Sequence, residues 1–232
     1  MKSFTCIALC VLALVVAAGC ASTKVTGQER LVTERFPRPG HIWVYDFSAT
    51  AADVHAESAL AGQHAEHATP QTAEQIATGR KVGAQIAAEL VKQIRTMRLP
   101  GEVASAGTTP QVNDIVIRGH LLSIDEGDAT KRVGIGLGSG ASHLSLAAEG
   151  YQMTAQGLRK LGSGTLESGG SKTPGGAVGL AGLIATANPA GLIISTGMKV
   201  YGEKSGSAKI EGRAEAAAKE IAEVLKKRFQ DQ

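Results

Sequence analysis

The chain has 232 residues, with 24 Lys and Arg against 21 Asp and Glu, and a net charge of +3. This length fits one domain or two small ones. The weak positive charge argues against nucleic-acid binding, which needs clustered basic residues. Aromatic residues make up 3% of the chain and glycines number 29 without a three-residue period, so collagen is excluded and any core must be aliphatic.

The first 20 residues have the features of an export signal. Lys2 precedes an uncharged apolar run, 4–18, that is too short to cross a membrane as a helix. Ala17-Ala18-Gly19-Cys20 then resembles the lipobox of bacterial lipoproteins, although Ala17 stands where leucine is usual. The resemblance implies a lipoprotein signal peptide over residues 1–19 and acylation of Cys20, with palmitate among the acyl groups. An ordinary signal peptide that contains a cysteine is the alternative.

The cysteine count agrees with a lipid anchor. Cys6 and Cys10 lie inside the signal, so the mature chain keeps only Cys20 and cannot form an internal disulfide. Ala21 follows the cysteine, which by resemblance to enterobacterial sorting favours the outer membrane. We therefore expect a lipid-anchored protein on the periplasmic face of the outer membrane.

Predicted secondary structure begins after a polar segment, 20–40, that we interpret as a lipidated tether. Residues 41–47 are rich in β-branched and aromatic side chains and predict a strand. Residues 48–69 predict a loop or weak helix. Thr69-Pro70 is typical of a helix start, and apolar residues at spacings of three and four predict a helix over about 70–98.

In the remaining chain, further β-rich runs alternate with a glycine-rich block and an uncharged segment. The runs predict strands at 103–106, 114–124, 144–153 and 161–167. A charged, alanine-rich helix is predicted over 207–229. We expect one domain over 41–232, of α/β or α+β class, with a single mixed β-sheet, packed helices, a glycine-rich apolar insert and a C-terminal helix.

Three blocks carry a family resemblance: Val44-Tyr45-Asp46-Phe47, the strand 114–119 and the glycine-alternating block 131–142. Together they resemble the bacterial lipoprotein family known as domain of unknown function 4410, over roughly residues 40–230. Leu137 departs from the pattern, where an aromatic residue is expected. The family has no established activity, so the resemblance implies no catalytic residues. Its layout also loosely resembles curli-secretion-type outer-membrane lipoproteins.

Gly134, Gly136, Gly138 and Gly140 alternate through the glycine block. In an extended strand they would share one face and leave a flat strip for close packing or a protein partner. Exposed backbone amides could instead bind a phosphate, but phosphate-binding fingerprints use longer spacings and open a helix. We therefore predict a packing or partner strip.

Residues 173–198 contain no charged residue. Gly175, Gly179 and Gly182 would allow close helix packing, and Pro189 divides the segment into parts too short for a transmembrane helix. A buried helix-turn element or a loop is one interpretation. A membrane or oligomer insert, each half approaching the length of a membrane-crossing strand, is the other.

Two regions suggest metal ligands. Asp125, Glu126 and Asp128 could bind Ca²⁺, but they lack the ligand alternation of a calcium loop and are better explained by a turn. His55, His64 and His67, with Glu57 and Glu66, could contact a transition metal, but no spacing fixes a third ligand. A solvated loop explains the same residues. We predict no metal and no cofactor.

No nucleophile and base stand at a recognisable catalytic spacing. An enzyme would require a deep pocket around Asp46, His120 and Glu149. We therefore predict a non-catalytic scaffold or assembly factor of the cell envelope. Its partners would be the membrane, through the N-terminal lipid, and an envelope protein that could be a second copy, but not nucleic acid. The alternative is a homo-oligomeric export or secretion channel component.

Overall fold

The computed structural model describes residues 23–34, 36–58, 61, 71–126, 142–169, 193–195 and 209–230. Within these residues one mixed β-sheet carries two helices, which confirms the predicted fold class. The strands are β1 (Thr23–Arg30), β2 (Ile42–Val44), β3 (Gly101–Val103), β4 (Ile115–Asp125), β5 (His143–Thr154), β6 (Gly157–Gly169) and β7 (Ile193–Ser195). The helices are α1 (Ala73–Thr96) and α2 (Ile210–Gln230), with a short 3-10 turn at Ala51–Asp53.

The strand order is β1-β6-β5-β4-β2-β3. β4, β5, β6 and β1 are antiparallel neighbours. The other edge of β4 is shared, because β2 pairs in parallel with its first residues and β7 with its last. β4, β5 and β6 occur where the sequence predicted strands. β3 begins before the predicted 103–106, since its register is set by parallel pairing of Gly101 with Ile42 of β2.

The segment 20–40, expected to be a tether, instead contributes the edge strand β1. Seven of its eight residues pair with β6, with an irregularity at Thr26, and a hydroxyl contact of 2.8 Å joins Thr23 to Ser168. The sequence of β1 contains one apolar residue, Val25, so its strand signal was weak. Backbone hydrogen bonds offered by β6 override that weak propensity.

Helix α1 begins later than the Thr69-Pro70 signal predicted. Thr72 is the N-cap, and a capping box joins its side chain and backbone to Gln75. This reciprocal pair satisfies two amide groups that have no partner within the helix, and so fixes the first turn. Arg98, in the left-handed region at φ 59°, follows the last turn before Leu99 and Pro100.

Both helices pack on one side of the sheet, here called the helix face, and against each other. The opposite side is called the polar face. The buried core joins α1, α2 and alternate residues of the central strands, including Ile86, Leu90, Ile117, Leu146 and Ile221. The core is aliphatic, as the low aromatic content requires, and Phe47 is one of its few rings.

Two glycines let the chain pass between α1 and β4 directly after β2. The amide of Phe47 donates to the carbonyl of Gly83 in α1 at 3.3 Å. A Cβ atom on Gly83 would overlap the backbone of Phe47, and one on Gly119 of β4 would overlap its ring. The layers can therefore approach only because both positions lack side chains.

We predict that Gly119→Ala lowers the free energy of unfolding by about 1–3 kcal/mol, because the added methyl must displace the ring of Phe47. Urea denaturation followed by circular dichroism measures the change. Gly150→Ala on the neighbouring strand β5 is the matched control, since its Cβ would meet no atom within 4 Å. Equal stability losses in the two variants would contradict this account of the packing.

Candidate functional site

A cluster of charged and polar side chains is buried on the polar face, where β4, β5 and β6 lie side by side. Its centre is Glu149 of β5, whose side chain has no exposed surface. Lys160 of β6 donates to Glu149 at 2.7 Å, and the Tyr151 hydroxyl donates at 3.1 Å. Nε2 of His120 on β4 lies 3.5 Å from the same carboxylate.

The surroundings of Glu149 set the protonation of the cluster. Burial alone would raise the pKa of this carboxyl, but hydrogen bonds from His120, Lys160 and Ser58, with the charge of Lys160, hold the pKa well below its usual range. Burial, followed by the Glu149 charge, raises the pKa of Tyr151 above its ordinary value. Near neutral pH the cluster therefore contains an ionised carboxylate and a protonated phenol.

The segment after β2 covers this cluster. Ser58 Oγ lies 3.0 Å from Nε2 of His120, and Tyr151 donates to the backbone carbonyl of Glu57 at 3.2 Å. The carboxylate of Glu57 accepts from Arg118 of β4 at 2.5 Å. These contacts fasten residues 57–58 to the sheet, so we call the covering segment 48–58 the latch.

Aromatic contacts extend the same surface. The guanidinium of Arg118 lies 5.1 Å from the ring centre of Tyr45, and His55 meets that ring edge-on at 5.2 Å. Burial, and then the neighbouring charge of Arg118, lower the pKa of His55. The half-buried imidazole is therefore biased toward its neutral form.

The cluster brings Ser58, His120 and Glu149 together, but not as a catalytic triad. In a triad the serine contacts one imidazole nitrogen and the carboxylate orients the other. Here Ser58 and Glu149 both approach Nε2, while the buried Nδ1 of His120 has no hydrogen-bond partner. The geometry can hold the latch and bury an ion pair, but it does not align a base with a nucleophile.

The cavity found among the described residues is not centred on Asp46, His120 and Glu149, the three residues named for an enzyme pocket. A cavity of about 120 Å³ lies between the helix face and the C-terminal half of α2. Its lining is mostly apolar and includes Phe36, Leu161, Leu166, Ile221, Val224 and Phe229. Glu149 borders it, but His120 does not, and Asp46 is exposed elsewhere.

For metal binding, only part of the suggested ligand set lies in the described residues. His55 and Glu57 belong to the latch, whereas His64, Glu66 and His67 lie outside those residues. No group of three His, Cys, Asp or Glu residues able to hold a metal occurs in the part of the chain that the structure describes. Neither of its two helices has an apolar stretch long enough to span a bilayer.

Cys20, the glycine strip and most of the uncharged segment 173–198 lie outside the described residues, but Ile193–Ser195 of that segment form β7, and the flanking residues are informative. Thr23 pairs with Ser168, Asp125 pairs with His143 and Ser195, and His143 pairs with Gly169. These residues therefore lie at one end of the sheet, here called the loop end. Gly134, Gly136, Gly138 and Gly140 are in the connection from β4 to β5, and Gly175, Gly179, Gly182 and Pro189 are in the connection from β6 to β7.

The sequence analysis named His120 and Glu149 together only for a hypothetical enzyme pocket with Asp46, and it did not predict the polar cluster that they form. A signal was present, since Arg118 and His120 occupy alternate positions in the mostly apolar strand β4, and Glu149 follows a run of mostly apolar residues in β5. A polar residue inside such a pattern indicates either a solvated face or a buried network. The pairing of Arg118 with Glu149 across β4 and β5, and the latch that covers them, required the fold.

A family profile described as a domain of unknown function (DUF4410) matches residues 42–187. The chain belongs to this family. The match confirms the resemblance seen in the sequence and covers most of the sheet and helix α1. No curated protein gives a significant match.

Two similar solved structures are both PelC dodecamers from Paraburkholderia phytofirmans. One has a TM-score of 0.38 and 10% identity, covering 74% of this chain and 99% of that chain. The other, a point variant, has a TM-score of 0.35 and 11% identity, covering 72% and 92%. A likeness this distant carries no argument about the activity or assembly of the family member described here.

We predict that Glu149→Gln lowers the free energy of unfolding at pH 7 by about 3 kcal/mol, because Lys160 then loses its buried partner. A carboxyl whose pKa is lowered by folding stabilises the fold above its ordinary pKa of 4.5, and this contribution is lost as pH falls below that value. The difference between the native protein and the variant should therefore shrink on acidification. Urea denaturation at several pH values measures it.

Glu215→Gln on the exposed side of α2 is the control, with an expected change within about 0.5 kcal/mol. A Glu149→Gln protein as stable as the native one at pH 7 would show that the cluster does not stabilise the fold. A loss of stability that does not vary with pH would show that it arises from packing and not from ionisation.

Proposed function

We propose that this protein is a non-catalytic lipoprotein, anchored through acylated Cys20 to the periplasmic face of the outer membrane, where it acts as a scaffold or assembly factor. The lipobox-like sequence Ala17-Ala18-Gly19-Cys20 supports the anchor. The single retained cysteine agrees with it, since a lone thiol in an exported chain is explained if it carries lipid.

The observation that carries the proposal is the position of β1. This strand begins at Thr23, three residues after Cys20, and it pairs with β6 from its first residue to its last, apart from an irregularity at Thr26. An anchor at Cys20 would therefore connect to the sheet with two intervening residues and no flexible tether. A domain held this close to a bilayer suits a fixed structural part of an envelope assembly.

The polar cluster supports a non-catalytic role. The cations of Lys160 and Arg118 are matched by the carboxylates of Glu149 and Glu57. Ser58, whose hydroxyl lies 3.0 Å from Nε2 of His120, is 7% exposed and belongs to the latch. A charge-compensated, covered network of this kind is suited to fixing a loop on a sheet.

The partner surfaces would be the two segments that the sequence singled out. The glycine strip lies in the connection between Glu126 and Ser142, and the part of the uncharged segment that precedes β7 lies in the connection between Gly169 and Ile193. Glycine backbone can approach another chain closely, and an uncharged segment loses no ionic solvation when it is covered. The partner would be an envelope protein, including a second copy of this chain.

We predict that the native protein fractionates with outer membranes, while a Cys20→Ser protein exported by a non-lipoprotein signal peptide is released as a soluble periplasmic species. The changed signal peptide is necessary, because an uncleaved lipoprotein signal would itself retain the chain. Mass spectrometry of the N-terminal peptide of the native protein should show acyl groups on Cys20. Fractionation and mass together test the anchor.

The matched variant is a deletion of residues 173–190, made both in the native protein and in the Cys20→Ser protein. The deletion spares β7 and leaves five linker residues, which can span about 20 Å when extended. The linker must cover about 14 Å, the three strand spacings from β6 to β7, so it is long enough. The Cys20→Ser protein could remain in the membrane fraction, where only detergent releases it, and become soluble only when the deletion is added. That result would contradict the scaffold function. A large detergent-solubilised ring would then favour a homo-oligomeric export channel.

A further inference from the structure

The cavity of about 120 Å³ on the helix face is enclosed by one side of α2. The α2 residues that line it recur at spacings of three and four, and they are Ile221, Val224, Leu225, Arg228 and Phe229. Phe36, Leu161 and Leu166 add further apolar surface. A cavity of about 150 Å³ with an aliphatic and aromatic lining stays dry and binds benzene. The cavity under α2 therefore suits an apolar group of similar size.

Strand register explains why space remains under α2. Gly150 of β5 pairs with Gly162 of β6, and Ala148 pairs with Gly164. Two neighbouring rows of the helix face therefore carry a methyl group or no side chain, and all four residues line the cavity. A Cβ atom on Gly150 would meet no atom within 4 Å, so a side chain at this position would enter the cavity.

Two arginines lie at the edge of the cavity. Gly162 also pairs with Arg30 of β1, which places the exposed side chain of Arg30 in the same row and on the same face as Gly150. Nε of Arg30 and Nη1 of Arg228 both donate to the carbonyl of Val32, at 3.2 and 2.7 Å. Each guanidinium has five N–H donors, so one bond to Val32 leaves further donors for a ligand.

The carboxylates that border the cavity are directed away from it. Glu29 and Glu149 are in register with Ser163, one on each side of β6, and all three side chains belong to the polar face. There Glu29 accepts from Ser163 at 3.2 Å, and Glu149 accepts from Lys160 at 2.7 Å. Within the described part of the chain, neither arginine at the cavity edge forms an ion pair with a carboxylate.

The two arginines therefore leave positive charge uncompensated at the cavity edge. Burial, and then the charge of Arg30, lower the pKa of Arg228. An anion placed between the two guanidiniums would offset their repulsion. Arginine also forms strong, often bidentate hydrogen bonds to carboxylate and phosphate groups.

We propose that the cavity binds a small amphiphile, with its apolar chain under α2 and its anionic head between Arg30 and Arg228. The two cations select the charge of the head, and the volume limits the enclosed part of the chain to a few carbons. Fatty acids and single-chain phosphate lipids share this chemistry. The site does not depend on acylation of Cys20, so it goes beyond the proposed function.

The test uses the mature chain, 20–232, with Cys20→Ser, produced without a signal peptide and purified without detergent. Isothermal titration calorimetry measures the binding of octanoate, octyl phosphate and the neutral analogue octanol. We expect at least one of the two anions to bind about tenfold more tightly than octanol, because hydrogen bonds to charged groups are the stronger ones. Circular dichroism and urea denaturation first verify that each variant folds.

Three variants separate the head site from the chain site. Arg228→Gln should weaken anion binding about tenfold and leave octanol binding unchanged. Lys227→Gln is the matched control, because it removes the same charge from the adjacent, exposed position of α2 and should change neither. Gly150→Val places a side chain in the cavity and should weaken the binding of all three ligands without lowering the free energy of unfolding.

Binding of octanoate alone would identify a fatty acid, and binding of octyl phosphate alone would identify a phosphate lipid; either result supports the proposal. Absence of binding by both anions would overturn it, as would octanol binding as tightly as they do. Equal losses of anion affinity in Arg228→Gln and Lys227→Gln would show unspecific attraction to α2 and would also overturn it. The acylation of Cys20 is measured separately, so either proposal can fail without the other.

Discussion

The fold depends on the close approach of helix α1, strand β4 and the segment after β2, which meet at Phe47. This residue follows the short strand β2, lies against Gly83 of α1 and covers Gly119 of β4 with its ring. Beyond Phe47 the backbone stays bonded to β4, because Ser48 donates to Gly119 and accepts from Leu121. A side chain at either glycine would separate the helix from the sheet and release the segment that follows.

That segment is the latch, so packing on one face of the sheet determines what is buried on the other. Once Ser48 is fixed beside β4, residues 57 and 58 lie over Arg118 and His120. Glu149 then has no exposed surface, and its ion pair with Lys160 is stabilised by the hydrogen bonds around it. The helix face is held by aliphatic burial, while the polar face is held by a compensated charge network.

The sheet topology has a further consequence, which is the asymmetry of its ends. Antiparallel pairing of β1 with β6 places the first described residue beside the last residues of β6, and β7 returns beside the end of β4. The glycine strip and the uncharged segment 173–198 are therefore connected to the same end as the predicted lipid anchor. The short spacing from Cys20 to Thr23 makes this end the one nearest to any membrane that holds the cysteine.

The sequence by itself determined the elements whose pattern is local. The long strands β4 to β6 and both helices follow from alternation or from spacings of three and four, and the family follows from blocks such as Val44-Tyr45-Asp46-Phe47. The structure alone decided features that depend on distant partners. β1 has one apolar residue and becomes a strand because β6 offers it hydrogen bonds.

The polar cluster is the second case of this kind. Ser58, His120 and Glu149 are far apart in the chain, and their contact arises from strand register and from the course of the latch. Periodicity reports which face a side chain occupies, but it does not report which residue of another strand lies opposite. The polar cluster and the loop end both arise from pairing between strands that are remote in sequence. Only the tertiary structure could therefore determine them.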